Sequence, residues 1–349
     1  MSKPASVDRL VSESNADGHI EELLSFIINA RKLRELYQSD MYRPRYHFMA
    51  PEGICFAFDP NGAIFHRGKY HLFYLTVDET QLMKNSSSLN YSWGHASSVD
   101  LLHWHYHPTA IKPDGREVNI ASGGSFLDKN GIPTIIYPCH AGIGIAQSFD
   151  EDLNEWVKLP ENPVLTQPQK GDDAYNKYKI GDIDAWFFED AYHAIINSGR
   201  PDGCHLFRST DMKRWDYISE FYDSDLNKTR SLDDCACPSF FKLGSKWVLL
   251  YISHYNGVQY YVGEYSGGKF FPEKHEKMNW PGGVFFAVES LLDDRDRRII
   301  WGWVPETRSR ATQHASGWSG VMSMPRVVSM TDDGQINVDP PEEFERLRL

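Results

Sequence analysis

The chain has 349 residues, 41% hydrophobic and 13% aromatic, enough to bury a large core in one big domain or two smaller ones. Its formal net charge of −12 argues against a nucleic-acid or anionic-membrane surface, because neutralising phosphates takes clustered Lys and Arg. A neutral or cationic partner suits that balance better.

The opening Met1-Ser2-Lys3-Pro4-Ala5-Ser6 lacks the apolar run of a signal peptide, and no stretch approaches the ~20 apolar residues needed to span a bilayer. The expectation is a cytoplasmic protein, or a secreted one if a leader has been trimmed from its front. From about Val7 to Leu36 the chain carries Leu10, Val11, Ile20, Leu23, Leu24, Phe26, Ile27, Ile28 and Leu33 among charged residues, most periodically after Asp17. That pattern predicts an amphipathic helix lying on the rest of the molecule or on a partner subunit. Residues 1–41 are therefore read as an N-terminal helical extension, with a homo-oligomer through it left open.

From residue 42 the pattern changes to strands. Gly62-Ala63-Ile64-Phe65, a turn at Arg67-Gly68, and Lys69 to Leu75 form a hairpin, followed by Gly94-His95-Ala96-Ser97-Ser98. The second unit begins at Ser125-Phe126-Leu127-Asp128 and crosses Asn130-Gly131, a strong hairpin turn, into Thr134-Ile135-Ile136-Tyr137. Later units pair Asp184 to Phe188 with Tyr192 to Ile196, Ser239 to Leu243 with Lys246 to Tyr251, and Phe285 to Leu291 with Arg298 to Trp303. A short phrase recurs after the third strand: Ser98-Val99-Asp100 with Trp104, Ser148-Phe149-Asp150 with Trp156, and Ser209-Thr210-Asp211 with Trp215. An internal repeat of four-stranded units predicts an all-β, five-bladed β-propeller over residues 42–349, the first strand of each blade lining a central tunnel. A β-sandwich would show no such repeat.

Cys55, Cys139, Cys204, Cys235 and Cys237 are an odd, scattered set that reads as buried thiols. Cys235-Ala236-Cys237 has the wrong spacing for a zinc knuckle. Neither a metal nor a cofactor is expected.

The chemistry lies in carboxylates at the blade starts. Asp59 in Asp59-Pro60-Asn61-Gly62 precedes the first innermost strand, although Asp-Pro and Asn-Gly also favour a plain Asx-turn. Asp182 and Asp184 hold the corresponding place in the third unit, Asp233 and Asp234 in the fourth, and Glu289 lies within the first strand of the fifth. Carboxylates converging on one axis repel each other, and such clusters persist where two carboxyls do acid–base or nucleophilic work, or where a cation binds. Glycoside cleavage is the reaction built on that pair.

Tyr42 to Phe48 leading to Asp59-Pro60-Asn61-Gly62, then Lys69 to Tyr74 and Trp93 to Trp104, closely resembles glycoside hydrolase family 32. That family holds the invertases, inulinases and levanases and shares its five-bladed propeller with families 43, 62 and 68. Ala121 to Ser125, Arg297 to Trp303 and Gly317 to Arg326 resemble later family segments in the right order, so the likeness covers about residues 42 to 349. The resemblance implies a small carbohydrate substrate, a β-fructofuranoside, cleaved with retention or transferred to another sugar. It places Asp59 at the family's nucleophile, Asp182 at its transition-state-stabilising Asp, and the acid/base just before Cys237-Pro238. Trp93, His95, Trp186 and Trp318 are expected either to surround the sugar or to pack the core. Asn61, Ser122, Asp184 and Asp233, on the same segments, complete the expected substrate site.

Four departures stand out. Phe58 replaces an expected Asn, Leu75 an expected Gln, and Arg-Asp-Pro has become Gly181-Asp182-Ile183. The Glu expected before Cys-Pro is Ala236. Because side chains alternate along a strand, Asp234 projects to the same side as Ala236 and is the first candidate for the acid, with Glu289 next and Asp233 last. The alternative is a non-catalytic sugar-binding propeller that has lost its acid. Family 32 members typically carry a β-sandwich after the propeller, and the sequence stops where that module would begin; either this branch lacks it or the sequence is incomplete.

Overall fold

The computed structural model describes residues 16–77, 90–115, 117–175, 177–197, 203–226, 233–279 and 284–348. Blade I comprises β1 (Pro60–His66), β2 (Lys69–Val77), β3 (Tyr91–Ser98) and β4 (His105–Tyr106). Blade II comprises β5 (Gly124–Leu127), β6 (Pro133–Cys139), β7 (Gly142–Ser148) and β8 (Trp156–Lys158), with β9 (Leu165–Thr166) added to β7. Blade III runs through β10 (Ile183–Phe188), β11 (Ala191–Asn197), β12 (Cys204–Ser209) and β13 (Asp216–Glu220). Blade IV runs through β14 (Ala236–Leu243), β15 (Lys246–Ser253), β16 (Gly257–Ser266) and β17 (Lys269–Lys277). Blade V comprises β18 (Phe286–Leu292), β19 (Arg298–Pro305), β21 (Arg326–Met330) and β22 (Ile336–Asp339), with β20 (Gly320–Met322) paired to β19.

Within each blade, consecutive antiparallel strands run outward from the axis, and the first strands β1, β5, β10, β14 and β18 pack on one another around it. The chain is thus the five-bladed propeller that the repeat predicts. The hairpin turns Arg67-Gly68 and Glu189-Asp190 place both residues in the left-handed region, with φ of 48° and 77° and of 46° and 62°, as the twist of two-residue β-turns demands. The Ser-x-Asp repeat closes the link between third and fourth strands. Asp100 accepts the N–H of His103 at 2.9 Å, Asp150 that of Asp152 at 2.9 Å, and Asp211 that of Lys213 at 2.9 Å. Each aspartate is followed by a buried left-handed apolar residue, Leu101 and Met212 one position on and Leu153 three positions on, and Trp156 and Trp215 donate back to the Leu153 and Met212 carbonyls at 2.9 and 3.1 Å.

The core is divided by the same symmetry. Separate apolar clusters fill the gaps between blades I and II around Phe73 and Trp93, II and III around Ile145 and Phe207, III and IV around Phe240 and Tyr261, IV and V around Val248 and Val288, and V and I around Leu72 and Trp301. Stacking blade face on blade face removes both sides of each sheet from water, which is the dominant stabilisation of this architecture. Residues 47–59 and 319–322 fasten blade V to blade I. Met322 N–H donates to the Phe48 carbonyl at 2.8 Å, and Ser319 accepts from Cys55 N–H at 2.8 Å and donates to the Cys55 carbonyl at 2.9 Å.

Helix α1 spans Ala16–Ser39; residues 1–15, which carry the start of the expected helix, lie outside the described residues. Only its last turns dock, with Leu36 and Tyr37 against Gly317 and Gly53 and with the following Asp40 held by Arg308 and by Trp318 Nε1 at 2.9 Å. Upstream, Ile20, Leu23, Leu24, Phe26, Ile27 and Ile28 are exposed, so that half of the helix does not lie on the propeller. A second helix, α2 (Arg310–Ser316), is capped by Ser309 accepting from Thr312 N–H at 3.2 Å and ends at left-handed Gly317. No helix among the described residues is long and apolar enough to cross a membrane.

Candidate functional site

The first strands carry the site because their N-terminal ends open at one mouth of the tunnel. Asp59 sits immediately before β1, Asp182 immediately before β10, and Asp234 two residues before β14. Asp59 is buried; its Oδ2 accepts the Ser122 hydroxyl at 3.0 Å, and its Oδ1 has no hydrogen-bond partner among the described residues. Burial and the charge of Asp182 push its carboxyl up to about 7, against the Ser122 hydrogen bond and the charge of His254.

Asp182 is gripped by backbone rather than by a cation. Its Oδ2 accepts Cys237 N–H at 2.9 Å and faces the Cys237 thiol at 3.6 Å. Burial still raises its carboxyl, opposed by these two donors and by the charge of His254. Where an Arg was expected before it, Gly181 lies so close to Asn197 that a Cβ would fall 1.9 Å from the Asn197 Oδ1. A cleft of ≈ 610 Å³ opens beside Asp182 between blades II and III, lined by Asn119, Cys139, His140 and Gln167 among others.

Asp234 faces His254, which sequence reasoning missed. His254 donates its backbone N–H to Asp234 Oδ1 at 3.1 Å, and its Nδ1 meets Asp234 Oδ2 in a close ion pair. Burial works to raise the Asp234 carboxyl, but the His254 ring and backbone outweigh it and hold the carboxyl below its usual range. The hydrogen bond to Asp234 raises the proton affinity of His254 against burial, and Asp182 and Asp59 add to it. Asp234 thus stands at the mouth as an acceptor toward His254.

The remaining expected residues scatter. Asp233 turns into blade IV, accepting from Asn256 at 2.7 Å, Gln259 at 3.1 Å and Tyr251 at 3.2 Å, so it does not line the mouth. Asp184 and Glu289 lie inside the tunnel. Asp184, two residues past Asp182 and hence ~7 Å deeper along the strand, accepts the Phe240 N–H at 2.7 Å and that of Ala185 at 2.8 Å. Burial pushes it up to about 7, and burial together with Asp184 pushes Glu289 well above the carboxylate range. Both face the charge of Arg298, itself lowered by burial to about 10, in a cavity of ≈ 270 Å³ that Trp186 also lines. Asp184 and Glu289 thus share this inner cavity with Arg298.

The aromatic candidates pack. Trp93 is wholly buried, with Nε1 donating to the Ala121 carbonyl at 3.0 Å. His95 is wholly buried in a stack with Phe73 and His107, its Nε2 2.9 Å from His71 Nδ1. Trp186 stacks on His193 and leans on Phe240, and Trp318 joins Met49 and Val321 under α1. Trp93, His95 and Trp318 are thus core residues, whereas Trp186 is half-buried at the inner cavity. Asn61 is fully buried and, with its amide turned to accept Leu75 N–H at 3.1 Å, serves the β1–β2 junction. Phe58 and Leu75 are likewise core residues, Phe58 against Phe48 and Tyr74. Of the expected substrate-side residues, Ser122 alone touches Asp59 among the described residues. No group of three or more His, Cys, Asp or Glu among the described residues is arranged to hold a metal ion.

Residues 47–340 match the family model described as the glycosyl hydrolases family 32 N-terminal domain. A fructan 6-exohydrolase from Beta vulgaris is 29% identical, over 88% of this chain and 56% of its own length. A levanase from Bacillus subtilis is 29% identical, over 93% of this chain and 51% of its own. The crystal structure of fructan 1-exohydrolase IIa from Cichorium intybus superposes with a TM-score of 0.73 at 27% identity, covering 88% of this chain and 62% of that one. The chain spans about half the length of the curated relatives it matches.

Proposed function

The chain belongs to glycosyl hydrolase family 32, and from that premise we propose that it cleaves a β-fructofuranoside such as sucrose or a fructo-oligosaccharide with retention of configuration. The observation that carries the reading is the pair Asp59 and Asp182, brought from blades I and III to one mouth, with each carboxyl raised by burial. In this reading Asp59 is the nucleophile. Its Oδ1 takes no hydrogen bond from the described residues, while Ser122 holds Oδ2 and fixes the rotamer. Attack on the anomeric carbon forms a fructosyl ester on Asp59, and water then releases the sugar or another sugar accepts it. Asp182, oriented by Cys237 N–H, binds sugar hydroxyls as the ring gains positive charge. The names of the relatives support a fructoside: a fructan exohydrolase and a levanase.

Purified protein incubated with sucrose, inulin and levan oligosaccharides tests the reading. Release of fructose that Asp59→Asn abolishes supports it. Saturable sugar binding without turnover by the parent protein would instead establish the non-catalytic carbohydrate-binding propeller, the reading that Ala236 favours.

A further inference from the structure

With Ala236 in place of the expected carboxyl, the mouth needs another proton donor, and the fold supplies one from the neighbouring strand. Strands β14 and β15 pair antiparallel, with Ala236 opposite Ile252. Two residues further out, this pairing sets Asp234 opposite His254. A bulge between Ala236 and Ser239, with Cys237 at φ 43°, shifts the register by one residue. Without it Asp234 would oppose Tyr255, and the histidine would point to the other side of the sheet. We propose that His254, oriented by Asp234, donates the proton to the leaving group, replacing the carboxyl that Ala236 lacks. The inference rests on the fructosidase reading above.

The geometry fits the task. Nδ1 is engaged by Asp234, which leaves Nε2 as the free nitrogen of the ring. The ring is fixed from the side by the edge-on Phe286, 5.2 Å between centroids. It retains an open path to ligand, being 57% exposed. Among the described residues, the charged groups that act on it are Asp234 from the segment before β14, Asp182 from the segment before β10 and Asp59 from the segment before β1. All three favour the imidazolium. In the first step the Nε2 proton passes to the glycosidic oxygen as its bond to the anomeric carbon breaks and the Asp59 ester forms. In the second step water attacks the anomeric carbon, the Asp59 carboxylate leaves, and the water gives a proton to the neutral Nε2, so that both groups return to their starting states. Asp234 touches neither sugar nor leaving group and is a positioning residue.

The test compares His254→Gln and Asp234→Asn with the parent on two substrates, sucrose and 4-nitrophenyl β-fructofuranoside, whose phenolate needs no protonation to leave. For His254→Gln, kcat/KM on sucrose is expected to fall about 10²–10⁴-fold, while turnover of the aryl fructoside is largely kept. Asp234→Asn is expected to move the alkaline limb of the sucrose kcat/KM profile to lower pH, because the histidine then loses its anionic partner. Titration of His254 by NMR follows the same displacement in the absence of substrate, whether or not the variants turn over sucrose. Equal retention, or equal loss, on both substrates by His254→Gln overturns the proposal but leaves the fructosidase reading standing if Asp59→Asn is inactive. Absence of turnover by the parent overturns the reading itself and the proposal with it.

Discussion

Asp59→Asn removes the proposed nucleophile and a buried carboxyl together, and pH separates the two effects. In the folded chain burial and Asp182 lift the Asp59 carboxyl from 3.8 to about 7. Below about pH 3 it is protonated in folded and unfolded chains alike and brings no penalty, and at pH 4 the penalty is still small. As pH rises the unfolded chain ionises first, so stability is lost until the folded carboxyl ionises near 7, after which the loss is complete. That displacement corresponds to roughly 4 kcal/mol at most. The amide recovers only part of it, since Oδ1 has no partner and a buried unsatisfied polar group costs about 1–3 kcal/mol. At pH 8 the variant is therefore expected to be about 1–3 kcal/mol more stable than the parent. With an unfolding entropy of about 2.1 cal/mol/K per residue, that is roughly 1–4 °C in Tm for a chain of this size. Thermal unfolding of both proteins at pH 4 and pH 8, run beside fructose release from sucrose, measures it. Inactivity with the same Tm difference at both pH values would refute the claim that Asp59 is an electrostatically costly buried acid.

Ser122→Ala removes the hydroxyl that Asp59 Oδ2 accepts, so the acid limb of kcat/KM is expected to move up by on the order of one pH unit; an unmoved limb refutes the role given to that hydrogen bond. Arg298→Leu leaves Asp184 and Glu289 facing each other without their cation and is expected to cost roughly 3 kcal/mol in urea unfolding at pH 8, and less at pH 5 where the carboxyls take up protons. The same loss at both pH values would show that Arg298 acts by packing on Phe241 alone. Asp40→Ala cuts the ties to Arg308 and Trp318 and is expected to speed proteolysis within α1 several-fold while fructose release stays unchanged. An unaltered digestion rate would mean that Leu36 and Tyr37 suffice to hold the helix.

The propeller was legible because its signals are local and repeated. Asp100, Asp150 and Asp211 each close a turn within five residues, and Arg67-Gly68 announces its hairpin by turn chemistry alone. The mouth was legible in part for the same reason: Asp59 and Asp182 stand at strand starts, where position follows from blade order. What escaped depends on register. The bulges at Asn61/Ile64, Ala236/Ser239 and Phe286/Glu289, with Gly62, Cys237 and Ala287 at positive φ, leave only weak traces in the sequence. A single extra residue decides that Asp233 turns into blade IV while Asp234 meets His254. The aromatic residues stayed undecided for another reason. Trp93, His95 and Trp318 carry both polar and apolar atoms, and their sequence neighbours do not reveal whether the ring faces a ligand or the next blade.

The seam between blades V and I is made of hydrogen bonds and packed side chains from opposite regions of the chain: Phe48 with Met322, Cys55 with Ser319, Tyr70 with Asp293 and Arg297. Such a ring is a necklace with a clasp rather than a welded hoop. Pulled from its two ends, the molecule bears the load first on the clasp, and once it springs the two end blades, I and V, have a neighbour on one side only. Rupture then proceeds bead by bead, giving a sawtooth force trace whose first peak reports the fastening and whose later peaks report single blades.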